Sequence, residues 1–178
     1  LLWRYPARRA HAEVIRDGIL AVSGALDLRM GGPGFDFFEP NDNYVRVYEP
    51  KRSFGPNEFR RMVYAKVVRM ERDATFGSFD CPDAGQPMPQ RVRSTTPLQA
   101  LALLNSPFVL QQAELFAERV RREAGDAPAA QVARAFELAL QRGPDAEESM
   151  SSVALVRVHG LAALCRALFN TSEFLFVP

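Results

Sequence analysis

The densest run of side chains with chemical capability lies between Phe79 and Thr96. It holds Asp80, Cys81 and Asp83, then, after a proline-rich turn, Arg91, Arg93, Ser94, Thr95 and Thr96. Two carboxylates and two guanidiniums flank the start of a helix. One reading is structural: arginine forks pair with carboxylates, a helix N-terminus favours an acid, and the network holds the connector down. On this reading Asp80 or Asp83 sits within ion-pair reach of Arg91 or Arg93, because the turn between them brings the two ends together. The other reading is a ligand site, in which the helix N-terminus at Pro97 and the two arginines bind a carboxylate, sulfate or phosphate group. The structural reading is the preferred one, and Thr96 belongs to the cluster on either.

Other chemistry is poorly supplied. Cys81 as a nucleophile needs a base, and His11 and His159 are both remote in sequence. Two histidines and two cysteines are too few to argue a metal site, and neither a zinc spacing nor a CxxCH haem-attachment motif occurs. The chain itself therefore calls for no metal and no cofactor. A Cys81–Cys165 disulfide is allowed by arithmetic and not demanded. Met30-Gly31-Gly32-Pro33-Gly34 reads as tight turns with close backbone approach. It lacks the Lys-Ser/Thr of a phosphate-binding loop and the spacing of a dinucleotide fingerprint. Glu39 to Asn43 is oxygen-rich but fails the EF-hand pattern and reads as a turn.

The elements that must position the cluster are mostly helical. Thr96 is an N-cap with Pro97 at the first helical position and Gln99 placed to close a capping box, and Ser106-Pro107 repeats the cap and proline. Apolar spacing predicts helices over 7–23 (Ile15, Gly18, Ile19 and Val22 inward, Gly24 as the stop), 56–68, 97–104, 107–123, 129–140 and from Ser151 or Ser152 to Phe169. Residues 44–48 alternate as a short strand, and the apolar tail 174–177 is expected to pack back. Long ordered loops are expected at 24–55 and 71–95, the second pinned to the core by Phe76 and Phe79. The fold class is thus mainly α: one compact helical domain over 1–178 with at most a short strand pair.

At 178 residues and 47% hydrophobic content the chain can bury a core of its own. A net charge of +1 removes any bulk electrostatic case for nucleic acid or an anionic membrane, and the basic residues of the Pro107 helix lie at its far end, against a DNA-reading helix pair. No apolar run is long enough to span a bilayer. The chain opens on Leu1-Leu2-Trp3 and reads as a fragment of a larger protein.

Several segments together resemble one family. Thr96 to Phe108, with Thr-Pro-Leu-Gln-Ala-Leu, Leu-Leu-Asn and Pro-Phe, is similar to the planctomycete-specific C-terminal domain of unknown function found in cytochrome-c-associated multidomain proteins. Phe79-Asp80-Cys81-Pro82-Asp83, Arg91-x-Arg93, Ala135 to Pro144, Leu164 to Phe174 and the Asp27 to Phe35 loop resemble that family's other motifs. Ser94-Thr95-Thr96 departs from its usual Thr-Asn-Thr, and Gln141-Arg142-Gly143 reverses its Gly-Arg order. No established active residue is carried over. The resemblance implies an exported parent, periplasmic or on the cell surface, with haem c in an upstream domain. On it the chain is a non-catalytic structural or interaction module whose partners are the upstream domains and an extracellular polysaccharide. The competing expectation is a hydrolase-type domain acting on an extracellular polymer through the Asp80, Asp83, Arg91 and Arg93 pocket.

Overall fold

The computed structural model describes residues 6–40, 47–69, 71, 73, 75–82 and 84–177. The chain is mainly α: 53% of the described residues are helical, and among them there is a single short antiparallel strand pair. In order, the elements are β1 (Arg8–Arg9), α1 (Ala12–Ser23), 3-10 turns at Met62–Tyr64 and Phe76–Phe79, α2 (Pro97–Asn105), α3 (Pro107–Ala124), α4 (Pro128–Leu140), α5 (Ala146–His159), α6 (Leu161–Phe169), α7 (Ser172–Leu175) and β2 (Phe176–Val177). β1 pairs with β2 in the register Arg8 to Val177 and Arg9 to Phe176. The apolar tail does pack back, and Phe174 lies against Phe169.

Helices α3 and α6 form the centre. Val109, Ala113, Phe116, Ala117 and Val120 on α3 meet Leu161, Leu164, Cys165, Leu168 and Phe169 on α6, and Phe116 stacks on Phe169. α1, α4 and α5 pack around this pair. The loops add a second apolar layer. Phe35, Phe37, Phe76, Phe108 and Phe54 run through edge-on and tilted ring contacts, so Phe76 and Phe79 are buried as the long connector requires.

Several boundaries are corrected. α1 starts at Ala12 rather than Ala7, because Arg8–Arg9 pairs with β2; Gly24 ends it in a left-handed turn (φ 79°) whose N–H returns to Ala21 and Leu20. The helix expected over 56–68 does not form. Its carbonyls are taken from outside: Phe59 accepts from the Asp27 N–H, Tyr64 from the Phe35 N–H, and Glu58 and Arg60 from the Arg16 side chain. Only a 3-10 turn survives; Met62 is buried while Val63 and Val67 face solvent. The long last helix is two, α5 and α6, broken at Gly160 (φ 83°), where a side chain would be strained. α4 ends at Leu140 as expected, with Gln141 closing it in a left-handed conformation (φ 59°). Residues 44–46 of the expected strand and 41–43 of the oxygen-rich turn lie outside the described residues. Val47 and Tyr48 are not in a strand. Cys81 and Cys165 are not joined as a disulfide.

Candidate functional site

The 3-10 turn Phe76–Phe79 ends at Asp80, whose backbone is left-handed (φ 59°). An aspartate tolerates that conformation better than most side chains. Its Oδ2 accepts from Arg9 Nη2 at 2.5 Å and from the Ser94 N–H at 2.8 Å, and Oδ1 accepts from the Ser94 hydroxyl at 2.9 Å. Arg9 is 5% exposed, lies over the Phe79 ring at 5.3 Å, and donates Nε to the Ser94 carbonyl at 2.7 Å and Nη1 to the Ala10 carbonyl at 3.1 Å. The amide of the buried Gln99 closes the ring from α2, donating to the Ser94 hydroxyl, the Ser94 carbonyl and the Ser78 carbonyl, each at 3.1 Å. Burial alone would raise the Asp80 carboxyl, but the Ser94 N–H and hydroxyl and the Arg9 charge outweigh it and hold the group below the ordinary range.

The two arginines of the cluster turn elsewhere. Arg91 sets its fork on Glu13 in the first turn of α1, at 2.7 and 2.8 Å. That bond holds the Glu13 carboxyl below its ordinary value, against the opposing effect of burial. Arg93 Nη2 lies 3.1 Å from His11 Nε2. The expected local pairing is thus replaced by long-range pairing: Asp80 with Arg9, Arg91 with Glu13, Arg93 with His11. The reason is that residues 84–93 stay on the surface while β1 and the first turn of α1 run beside them. Asp83 lies outside the described residues. Thr96 caps α2 within a capping box, but the return bond, Thr96 N–H to Gln99 Oε1, is long at 3.4 Å, and the Gln99 N–H also reaches the Thr96 carbonyl at 3.1 Å.

Two further arginines organise the loops and were not apparent from spacing. Arg16 is fully buried and its guanidinium lies over Phe35, Phe108 and Phe37 at 4.7, 5.2 and 5.5 Å. It donates to the Arg60 carbonyl at 2.8 Å and to the Glu58 carbonyl. Burial pulls its pKa down to about 10. Arg60 lies over the Tyr64 ring at 4.0 Å and gathers the carbonyls of Arg29, Gly31 and Pro33. The glycine-rich loop therefore turns three carbonyls toward Arg60, and its Gly31 N–H is taken by the Tyr64 hydroxyl at 3.0 Å, which is not the converging set of N–H groups that a phosphate cradle needs.

What the cluster offers chemically is limited. Both Asp80 oxygens already accept donors, and His11 Nε2 faces a guanidinium. Burial pushes the Cys165 thiol well up, so it is no nucleophile. Cys81 lines a small cavity of about 80 Å³ with Glu13, Phe37, Phe38, Met62 and Phe76. Among the described residues no three His, Cys, Asp or Glu side chains converge as metal ligands, and no helix is long and apolar enough to cross a membrane.

A helical module whose charged cluster ties its own segments together is the class of protein that this fold and site define. The chain belongs to the PSD1 family, described as a protein of unknown function (DUF1553), whose family model matches residues 1–156. The match ends within α5, although α6 beyond it supplies half of the central helix pair. Comparison with curated proteins finds no match. Comparison with solved structures finds none either.

Proposed function

We propose that residues 1–178 form one non-catalytic structural or interaction module of an exported, haem-c-linked multidomain protein. Its partners are the upstream domains of the same chain, with an extracellular polysaccharide as the external ligand of the whole. The single observation that favours a module over an enzyme is the state of Asp80: both carboxylate oxygens accept from Arg9 or Ser94, which commits the group to holding the chain's own segments together. Membership in a family of unknown function is compatible with this reading. The export and the haem-bearing parent rest on the motif resemblance alone. The test uses the full parent chain, screened for polysaccharide binding and turnover with and without this domain and with Asp80→Asn. Turnover that is unchanged in a folded Asp80→Asn protein is the expected result. Turnover abolished in a variant that stays folded would make the domain a hydrolase and defeat the proposal.

A further inference from the structure

Helix α2 carries no charged side chain over its 9 residues, yet only Gln99 and Leu103 on it are buried. Leu98 and Leu101 are 69% and 53% exposed, and with the half-buried Leu104 they form a stripe at i, i+3 and i+6. So short a helix is marginal by itself and depends on packing its apolar face. This one keeps two leucines of that face in water. Beside the stripe an open groove of about 800 Å³ runs between α3, α5 and α6, and Leu104 forms part of its wall. Leu110 of α3 adds to the apolar lining, and the small Ala163 and Ala167 of α6 leave room for a side chain to enter. Glu114 on α3 and Arg166 on α6 line the same groove, and neither has an ion-pair partner among the described residues.

We propose that this face is a contact between two copies of the chain: the leucine ridge of α2 in one copy enters the groove between α3 and α6 of the other, and the reverse, about a two-fold axis. Two features select a second copy over an unrelated partner. A ridge and a groove lie side by side on one face, and a two-fold contact requires such a self-complementary patch, because residue i of one copy meets residue j of the other and j meets i. The charges obey the same rule. Glu114 of each copy meets Arg166 of the other, so both groups gain the counter-ion that each lacks within its own chain. The same helix is a poor match for other partners. It has no basic residue to hold it on an anionic membrane and no aromatic ring to stack on a sugar. The contact stands apart from the module reading, since it needs neither the upstream domains nor a polysaccharide.

Sedimentation velocity of the 178-residue chain over a concentration series reads the contact. The expected result is a reversible dimer that dissociates at roughly micromolar concentration. Leu98→Glu combined with Leu101→Gln should raise the dissociation constant by at least about tenfold. Both changes suit an exposed helix, an acid in the first turn and a glutamine further on, so circular dichroism should show unchanged helix content. Glu114→Arg and Arg166→Glu should each weaken the dimer about tenfold, and the two together should restore it, because the pair is exchanged and not removed. Met150→Glu, at a site on α5 that is 71% exposed and outside the groove, should leave the dimer unchanged. A chain that stays monomeric up to about 100 µM overturns the proposal and leaves the face to another part of the parent protein. So does a dimer that survives the leucine changes, a charge reversal that the double variant does not repair, or an equal loss in Met150→Glu.

Discussion

Replacing Asp80 tests the cluster most directly, because the two readings of it demand opposite results. In Asp80→Ala, Arg9 loses its counter-ion while remaining 5% exposed. Stranding one partner of a fully buried pair costs about 3–5 kcal/mol. The Asp80 side chain is 21% exposed, and Arg9 keeps two carbonyl acceptors and the Phe79 face, so the electrostatic loss falls to about 2 kcal/mol. Alanine in the left-handed conformation at φ 59° adds about 1 kcal/mol. Asp80→Ala should therefore cost about 3 kcal/mol. Asp80→Asn, which tolerates the backbone and keeps an acceptor for the Ser94 N–H, should cost about 1–2 kcal/mol. The pH dependence has a definite sign. The native carboxyl is held below its unfolded value, so its contribution is fully present above about pH 4 and is lost as pH falls through the folded pKa. The gap between the unmodified protein and Asp80→Asn should thus be flat from pH 8 to 5 and narrow below about pH 4. Urea unfolding followed by circular dichroism at several pH values measures both. A deficit under about 0.5 kcal/mol for Asp80→Ala, typical of a plain surface change, would refute the structural network.

Three other pairs of substitutions separate local causes. Arg16→Leu removes the guanidinium from its aromatic cage and leaves the Glu58 and Arg60 carbonyls without that donor; we expect a loss of about 3 kcal/mol by urea unfolding, with Arg16→Lys giving little rescue because an ammonium lacks the fork. Gly34→Ala would place its Cβ 2.5 Å from the Tyr64 carbonyl oxygen and should lower stability by about 1–3 kcal/mol, whereas Gly143→Ala, with open space around it, should stay within about 0.5 kcal/mol by thermal denaturation. Asp145→Ala should cost about 1 kcal/mol and Thr96→Ala about 0.5 kcal/mol, since the Asp145 and Glu148 box has both bonds at 2.8 Å and the Thr96 box does not; equal losses in the two would show that bond length is not what sets the cap.

The helical half of the chain was legible because its signals are local. Thr96-Pro97 and Ser106-Pro107 open α2 and α3 at the residues expected, and α3 buries Val109, Ala113, Phe116 and Val120 along one face. Positive-φ breaks were harder. Gly160 is one of these: a lone glycine between two helical stretches does not by itself announce a break. The 56–68 segment has helical spacing, but its carbonyls are claimed by partners up to 44 residues away, and tertiary demand overrides propensity. The cluster was half legible. Asp80, Arg91, Arg93 and Thr96 are all structural participants, but their partners Arg9, Glu13 and His11 come from 71 to 82 residues upstream, a separation that no local pattern encodes.

The buried arginines explain how so much irregular chain stays ordered. Loops without a ladder leave buried carbonyls that need donors. Lys51 and Lys66 are the only lysines beside the arginines, and among the described residues Arg9, Arg16 and Arg60 are buried. Arg9 supplies Ala10 and Ser94; Arg16 supplies Glu58 and Arg60; Arg60 supplies Arg29, Gly31 and Pro33. Each also lies on an aromatic face, Phe79, the Phe35 cage and Tyr64 respectively, where a planar, weakly hydrated cation is buried at lower cost than an ammonium. The inward arginines serve as hydrogen-bond donors to the backbone, so their number measures the length of loop to be held and says nothing about an anionic partner.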